Sequence, residues 1–320
     1  MLSRIAQELF WLGRNVARAE HTARLLDGVF QASLQGRPDD PSGVNLGWPS
    51  ILAIMGAESD GRPARRSEVL DRMTIDQSEP ASVISCVGRA REGARTVRDV
   101  ISAEMWESIN TTHLSLTGSD LPGRMQMGPY GVFRYVKERS ALFWGLQGRT
   151  MLRDDARAFL VAGGRIESAD MVLRMLRVAM PSGAEAEGAA EGVRDGQALA
   201  LLQAVGGFQA FRRAVPAPAN AGPVARFLLY ERTYPDSVTA SVDAVHQALT
   251  DADEQPRSSE PVLRLSRLSA DLEFRGRAAA EDGNLAETCE LVQSELALID
   301  ADIGDRYFAG AGTAAGTVIT

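Results

Sequence analysis

The chain has 320 residues, 34 basic and 42 acidic side chains and a formal net charge of −8, so its overall field does not favour nucleic acid or anionic membranes as partners. Hydrophobic residues make up 45% of the sequence, enough to bury a core, but no run of about 18 apolar residues predicts a membrane span. The N-terminal segment contains Arg4, Gln7 and Glu8 where a secretory signal peptide needs an apolar stretch, and we expect a cytoplasmic protein.

The cysteine, histidine and lysine contents limit the chemistry of the chain. Cys86 and Cys289 lie far apart and show no CxxC or Cys/His spacing, so we expect buried free thiols and no zinc site. The three histidines are too scattered to predict a metal site. Lys137 is the only lysine, and its context, RYVKERS, does not match the GxxxxGK[ST] of a phosphate-binding loop. We therefore expect no metal and no cofactor, and the sequence argues against a self-contained P-loop enzyme.

The spacing of apolar residues predicts an all-α protein, a helical bundle. From residue 2 to residue 30, apolar side chains recur at three- and four-residue steps and form one stripe along a helix. The same period predicts further helices at about 49–56, 66–75, 80–110, 129–178, 196–214, 223–232, 236–249, 261–281 and 284–307. No segment shows the sustained alternation of a strand, so we expect no sheet.

Breaks in the helices are predicted from glycine, proline and capping residues. The helix at 80–110 is expected to begin near Pro80, with Ser78 as its cap, and a loop is expected before the next helix, around TGSDLPGRMQMGP. The longest predicted helix contains Gly163 and Gly164, which predict a break at that point.

Two segments of the chain are similar at a constant offset of 150 residues. The matched positions are Met1/Met151, Leu2/Leu152, Ala6/Ala156, Gly13/Gly163, Ala19/Ala169, Glu20/Asp170, Arg24/Arg174 and Leu26/Leu176. A weaker match at an offset of 155 aligns Pro80, Ser82, Val83 and Val87 with Pro235, Ser237, Val238 and Val242. Two diverged repeats of about 150 residues explain both matches.

The repeats define the expected domain organisation. We place the first helical repeat at 1–140 and the second at 141–310, with an acidic Gly/Ala linker at 181–197 inside the second and a disordered tail at 311–320. Duplicated helical units bury their apolar stripes most simply against each other. We therefore expect the first helices of the two repeats to be related by an approximate two-fold rotation, with their matched segments facing one another.

Four ordered segments carry a recognisable pattern. They are LFWLGRNVARAEHTARLLD at 9–27, PASVISCVGRAREGARTVRDVISAEMWESIN at 80–110, GLQGRTMLRDDARAFLVAGGRIESADMVLRML at 145–176 and FLLYERTYPDSV at 227–238. Together they resemble the alpha-E family, a helical bacterial family named for a recurrent Glu-Arg motif, over nearly the whole chain. The resemblance implies an association with circularly permuted ATP-grasp ligases and with transglutaminase-like or proteasome-like hydrolases, which make and process peptide-like amide bonds.

The chain departs from the family pattern at the Glu-Arg motif itself. The first copy has Ala17-Arg18 and the second has Glu167-Ser168, so each copy keeps one member of the pair. Gly164 also stands where the family has an arginine. An intact Glu-Arg pair remains only if Arg18 and Glu167 meet across the repeat axis.

The first helix carries a candidate binding face. At about 100° per residue, Gln7, Trp11, Arg14, Arg18 and His21 fall on one side, roughly opposite the apolar stripe. The planar guanidinium of arginine binds carboxylate or phosphate with two hydrogen bonds, so this face predicts a site for an anion or a partner. The alternative is a second buried face that forms salt bridges with acidic residues of a neighbouring helix.

A second arginine-rich face is predicted on the helix at 80–110. It contains Arg91, Arg95, Arg98 and Ser102, and the same helix supplies acidic residues that could pair with them across helices or in solvent.

Two further charged pairs complete the candidate site. Glu20 with Arg24 and Asp170 with Arg174 have the i, i+4 spacing of intrahelical ion pairs. Glu167, from the second Glu-Arg motif, is the remaining candidate.

These observations favour a non-catalytic or co-catalytic helical partner of an ATP-grasp-type amide ligase. Its arginine-rich faces would bind the ligase or an anionic peptide-like substrate, with a transglutaminase-like hydrolase as a further partner. One alternative is an enzyme of peptide-like amide bond formation or transfer, in which Glu and Arg act as acid/base and oxyanion groups. The other alternative is a structural scaffold.

Overall fold

The computed structural model describes residues 1–34, 46–57, 64–118, 120–179, 191–278 and 285–309, and these form fourteen α-helices and no strand. The helices are α1 (Ser3–Leu34), α2 (Trp48–Met55), α3 (Arg66–Thr74), α4 (Val83–Thr96), α5 (Ala103–Thr117), α6 (Leu121–Met127), α7 (Tyr130–Thr150), α8 (Asp155–Ala179), α9 (Glu191–Ala204), α10 (Phe208–Ala214), α11 (Ala221–Tyr230), α12 (Val238–Ala252), α13 (Glu260–Ala278) and α14 (Leu285–Tyr307). The all-α prediction is confirmed. None of these helices is both long enough and apolar enough to cross a membrane.

Helices α1 and α8 form the centre of the molecule. They pack along each other, and α4, α7 and α9 cover further sides of α1 while α12, α14 and α2 cover further sides of α8. Consequently α1 is buried around most of its circumference. Phe10, Ala17 and Leu25, which lie outside the predicted apolar stripe, are each at most 3% exposed.

The predicted helix at 80–110 is wrong as a single element, because it is divided into α4 and α5. The chain turns between Val97 and Ser102, and the Ser102 hydroxyl accepts a hydrogen bond from the Met105 N–H at 3.2 Å, which begins α5. The cap of α4 is Ser82 rather than Ser78, since the Ser82 hydroxyl accepts from the Ser85 N–H.

The predicted break at Gly163 and Gly164 is also wrong. Both glycines lie inside the continuous helix α8, and the chain breaks at 151–154 instead. The Asp154 carboxylate there accepts from the Arg157 N–H at 3.2 Å and caps the start of α8. Glycine is present at positions 163 and 164 because neighbouring groups approach the backbone closely, as described below.

Two smaller differences concern the helices, and two further observations concern the expected domain limits. The loop expected around residues 117–129 contains the short helix α6, which begins with a proline in its first turn. The helix expected at 196–214 is divided between α9 and α10 at Gly206, whose φ is +72°. Residues 191–197 of the expected linker belong to α9, while 181–190 and the tail at 311–320 lie outside the described residues. The expected repeat boundary at 140/141 falls within α7.

Candidate functional site: two cavities beside the α1–α8 pair

Helices α1 and α8 cross in backbone contact. A Cβ atom on Gly13 would lie 2.1 Å from the Leu160 carbonyl oxygen, and one on Gly163 would lie 1.9 Å from the Phe10 carbonyl oxygen. No other residue type fits at these two positions without separating the helices. The crossing brings the segment that follows Gly13 opposite the segment that follows Gly163, so the two diverged motifs lie side by side.

Arg18 and Glu167 form a two-pronged ion pair across this crossing. The Arg18 Nε and Nη2 atoms donate to the two Glu167 carboxylate oxygens at 2.5 and 2.9 Å. Arg14 Nε donates to Glu167 Oε2 at 3.1 Å, and Arg14 Nη1 donates to Asp300 of α14 at 2.7 Å. The Arg14 guanidinium also lies 5.1 Å from the centre of the Trp11 ring. Arg18 and Glu167 therefore meet across the two helices, and the chain contains one intact Glu-Arg pair.

The network keeps the buried Glu167 carboxylate ionised. Its side chain is 1% exposed, and burial alone would raise its pKa, but the charges and hydrogen bonds of Arg18 and Arg14 lower the pKa of Glu167 to about 2. Burial disfavours the charge of Arg14, whereas Asp300 and Glu167 raise its pKa; Glu167 likewise raises the pKa of Arg18. Two cations and two anions thus balance, and the network holds Arg18 in one orientation.

A cavity of about 720 Å³, the Trp11 cavity, opens between α1, α4 and α5 next to Arg18. Its lining residues are Gln7, Glu8, Trp11, Leu12, Asn15, Arg18, Gln77, Pro80, Ile84, Ser85, Gly88, Arg89, Glu92, Gly93, Arg95, Thr96, His113 and Thr117. Arg89 spans the edge of this cavity: its Nε donates to Asn15 Oδ1 at 2.9 Å and its Nη2 to the Pro80 carbonyl oxygen at 2.6 Å. The cavity therefore combines an aromatic wall with three arginines.

Two polar atoms of residues that line the Trp11 cavity are buried without a hydrogen-bond partner in the described structure. They are Gln7 Oε1 and His113 Nδ1. Burial and the nearby charge of Arg91 lower the pKa of His113, so its imidazole is neutral near pH 7. Burial also raises the pKa of Glu8. Buried polar atoms are normally paired, so unpaired ones beside a cavity indicate a place where a polar ligand or water binds.

The predicted arginine face at 91, 95 and 98 does not form one surface. Because α4 ends at Thr96, Arg98 lies in the turn that follows it, and the guanidinium groups of Arg91 and Arg98 pack on Trp106 at 5.8 and 5.3 Å from the ring centre. Arg91 Nε donates to Asn110. Only Arg95, which pairs with Glu92 at 2.9 Å, lines the Trp11 cavity.

A second cavity of about 450 Å³, the Trp144 cavity, lies on the other side of the α1–α8 crossing. Its lining residues are Ala17, Glu20, His21, Trp144, Gln147, Arg157, Val161, Gly164, Arg165, Ser168, Pro235, Asp236 and Ala244. The candidate residues Glu20 and His21 therefore lie here, apart from Trp11, Arg14 and Arg18. A Cβ atom on Gly164 would lie 2.5 Å from the Trp144 ring, so the ring occupies the space beside that glycine.

The remaining candidates form the two predicted intrahelical ion pairs. Arg24 Nη2 lies 2.7 Å from Glu20 Oε1, and Arg174 Nε lies 2.8 Å from Asp170 Oδ2. Asp170 also accepts a hydrogen bond from Gln293 at 2.8 Å. These pairs lie on opposite helices of the central crossing.

Several residues of the network and the cavities were not singled out from the sequence. Asp300 is 286 positions from Arg14, and no sequence pattern links them. A sequence pattern does indicate Arg89. A stripe of small and polar residues runs at helical spacing along an otherwise apolar helix, and its members are Ser85, Gly88, Arg89, Glu92 and Thr96. The sequence around His113 contains no pattern that indicates a binding site.

Comparison with known proteins places these features in a family. The model of Alpha-E, described as a predicted alpha-helical domain with a conserved ER motif, matches residues 1–308. Uncharacterized proteins of Mycobacterium bovis (strain ATCC BAA-935 / AF2122/97) and Mycobacterium tuberculosis (strain ATCC 25618 / H37Rv) are each 22% identical over 324 residues, covering 94% of this chain and 36% of their own length. The chain thus spans about a third of the length of these curated relatives. No solved structure matches it.

Proposed function

Since this chain belongs to the Alpha-E family of helical domains, we propose that it acts as a non-catalytic or co-catalytic partner of an ATP-grasp-type amide ligase. In this role the Trp11 cavity holds an anionic, peptide-like substrate of the ligase. The observation that carries the proposal is the composition of the cavity, in which Trp11 provides an aromatic wall and Arg18 and Arg89 provide cations, while Glu92 balances the charge of Arg95.

Size and chemistry support a short acidic peptide as the occupant. A volume of about 720 Å³ lies within the usual range of ligand pockets, roughly 300 to 1,000 Å³. Arginine side chains bind carboxylates in a fork geometry, and an aromatic wall packs against the apolar part of a ligand. The unpaired Gln7 Oε1 can accept a hydrogen bond from a peptide N–H.

Arg18 is preorganised for this task by its buried partner. Its Nε and Nη2 atoms are occupied by Glu167, and among the described residues no acceptor is present for its Nη1. A guanidinium already held in place loses little conformational freedom when a ligand binds. The retained Glu-Arg pair would therefore act by positioning one cation at the cavity wall.

The length of the relatives is compatible with a partner role. Proteins about three times as long as this chain contain a region similar to nearly all of it, so the helical unit also occurs joined to additional polypeptide. The expected genomic context is an ATP-grasp ligase gene next to the gene for this chain. An isolated gene would weaken the part of the proposal that concerns the ligase.

We also infer that the chain consists of two diverged repeats. Gly13 approaches Leu160 as Gly163 approaches Phe10, which is the same contact after exchange of positions 150 apart. Ser82 and Ser237, at an offset of 155, cap α4 and α12 in the same way. The two cavities share six lining positions: Gln7/Arg157, Trp11/Val161, Asn15/Arg165 and Arg18/Ser168 at an offset of 150, and Pro80/Pro235 and Arg89/Ala244 at 155.

Binding of tri-glutamate with an amidated C-terminus, called tri-glutamate below, tests the proposed cavity by isothermal titration calorimetry. Tri-glutamine, amidated in the same way, has the same length and lacks the side-chain carboxylates. Arg89→Gln removes a cation from the cavity edge while the exposed side chain carries no part of the core, so we expect tri-glutamate affinity to fall about tenfold or more.

The chain supplies a matched control for Arg89. Arg165 donates to the Pro235 carbonyl oxygen at 2.9 Å, as Arg89 does to that of Pro80, but it lines only the Trp144 cavity. Arg165→Gln should therefore leave tri-glutamate affinity unchanged. Equal binding of the two peptides, or equal effects of the two substitutions, would contradict the proposal.

A further inference from the structure

The Trp144 cavity is the place where a second cross-helix Glu-Arg pair is absent. At an offset of 150, Ala17 corresponds to Glu167 and Ser168 corresponds to Arg18, so the positions that would mirror the retained pair carry two small side chains. Both residues line the Trp144 cavity. The space that two long charged side chains would fill is instead open to a ligand.

His21 is held by Ser168 in one defined orientation. The Ser168 hydroxyl donates to the Gly164 carbonyl oxygen at 3.1 Å, and its oxygen lies 3.0 Å from His21 Nε2. A hydroxyl has one hydrogen, so His21 Nε2 must be the donor to Ser168. In a neutral imidazole this leaves Nδ1 as an acceptor, and Nδ1 is buried without a partner in the described structure, although His21 is only 4% exposed.

The same cavity contains donors that have no acceptor. Gln147 is 5% exposed, and its Nε2 atom is buried and unpaired among the described residues. The half-buried Arg157 lines the cavity, and its guanidinium has no acceptor in the described part of the chain. The acidic side chains of the cavity are already engaged, since Asp236 pairs with Arg165 and Glu20 pairs with Arg24. One cation and one amide donor therefore lack a counterpart.

From this arrangement we infer that the Trp144 cavity binds a small carboxylate that carries a neighbouring N–H, as in an amino acid or the C-terminal residue of a peptide. The carboxylate accepts from Arg157 and Gln147 Nε2, and the N–H donates to His21 Nδ1. The apolar part of the ligand packs on the Trp144 ring, and about 450 Å³ is large enough for such a molecule. This site is separate from the Trp11 cavity, so the inference does not depend on the proposed function.

Imidazole signals in NMR spectra provide the test, because the chain has three histidines and His21 is the one that lines this cavity. The probes are N-acetylalanine, which mimics a peptide C-terminus, and free alanine; N-acetylalaninamide lacks the carboxylate. We expect a saturable shift of the His21 signal with at least one of the two acids, whichever source of the carboxylate the site accepts. The His113 and His246 signals should not move, and the amide should bind at least tenfold more weakly.

Two substitutions check the assigned contacts. Arg157→Gln should weaken binding of the acid about tenfold, whereas Arg153→Gln, an exposed arginine in the preceding turn, should not change it. Gln147→Leu removes an unpaired buried amide, so the variant should fold and should also bind more weakly. The inference is overturned if no saturable His21 shift occurs up to the solubility of both acids, if all three histidine signals move together, or if the amide binds as well as the acid.

Discussion

The two sides of the α1–α8 crossing differ at several corresponding positions, and the difference at the Glu-Arg motif changes the number of charged groups most. On the Trp11 side, Arg18 and Glu167 meet in a buried ion pair at 2.5 Å. On the Trp144 side, the corresponding positions hold Ala17 and Ser168, and the space between them forms part of a cavity. The Trp11 side has a paired cation and anion at these positions. The Trp144 side has open space and unpaired polar atoms.

The contacts between α1 and α8 change the interpretation of the divergent Glu-Arg motif. Along the sequence, each of the two proposed repeats has one member of the Glu-Arg motif. In space, Arg18 and Glu167 form a complete pair, and the corresponding positions Ala17 and Ser168 lie on the opposite side of the crossing. Removing both members of a buried ion pair avoids the unpaired charge that removing one would leave, which costs about 3 to 5 kcal/mol. On the proposed two-repeat organisation, the chain lacks one whole pair and retains the other.

The largest expected effect is on the close contact between α1 and α8, which the two sides share. Gly163→Ala would place a Cβ atom 1.9 Å from the Phe10 carbonyl oxygen, and because the obstacle is backbone, the two helices must separate. We expect the free energy of unfolding to fall by about 3 kcal/mol or more, or the variant not to fold. Gly145→Ala in α7, where no atom lies within 4 Å, should be stabilising by roughly 0.5 to 1 kcal/mol. Equal melting temperatures for the two variants would show that the helices are not in contact.

The next effect separates the two sides. Glu167→Gln leaves Arg18 and part of Arg14 without a buried counter-ion and should lower the free energy of unfolding by about 3 kcal/mol. Ser168→Ala, on the other side, leaves only His21 Nε2 without its acceptor and should cost about 1 kcal/mol. Chemical denaturation of both variants measures the difference, and equal losses would remove the distinction between the sides.

The Glu167 contribution should depend on pH in one direction. The folded-state pKa, about 2, lies below the ordinary value of 4.5, so the contribution is fully present above about pH 4.5 and is lost as the pH falls towards 2. The stability gap between the unsubstituted chain and Glu167→Gln should therefore narrow between neutral pH and about pH 3. A gap that stays constant or widens in acid would mean that Glu167 is not an ionised, paired carboxylate.

The smallest effect concerns a feature that both sides retain. Glu20–Arg24 on α1 and Asp170–Arg174 on α8 are equivalent i, i+4 ion pairs at 2.7 and 2.8 Å. Arg24→Ala and Arg174→Ala should each lower the free energy of unfolding by about 0.5 kcal/mol, because pairs of this kind contribute little. Thermal unfolding of the two variants is the check. A difference of more than about 1 kcal/mol between them would indicate that the two helices are not in comparable surroundings.

The sequence predicted the helices well and their breaks poorly. Apolar periodicity is a local property, and it located most helices of the described chain to within a few residues. The breaks at 97–102 and 151–154 contain no proline or glycine and depend on the caps Ser102 and Asp154, which resemble ordinary polar residues of a helix. The sequence pattern indicates a helix break at Gly163, whereas this glycine lets another helix approach, and the approach depends on a segment distant in the sequence.

The candidate site could also be predicted only in part, because helical geometry is local and many of its contacts join segments distant in the sequence. The face containing Trp11, Arg14 and Arg18 follows from helical geometry, and the alternative that such a face forms salt bridges with a neighbouring helix describes the contacts of both arginines with Glu167. The other partners, Asp300 of Arg14 and Asn15 of Arg89, depend on packing between segments distant in the sequence. The contrast between the two cavities depends on the same packing and could not be predicted from one helix at a time.

Fluorine NMR of the 5-fluorotryptophan-labelled chain tests most directly whether the side with the retained pair is the binding side. The chain has four tryptophans, and Trp11 and Trp144 each line one of the two cavities. Titration with tri-glutamate, whose amidated C-terminus lacks the carboxylate expected to bind in the Trp144 cavity, should shift the Trp11 signal saturably and leave the Trp144 signal in place. A shift of Trp144 without Trp11, or no saturable shift of either, would contradict the assignment of peptide binding to the Trp11 cavity.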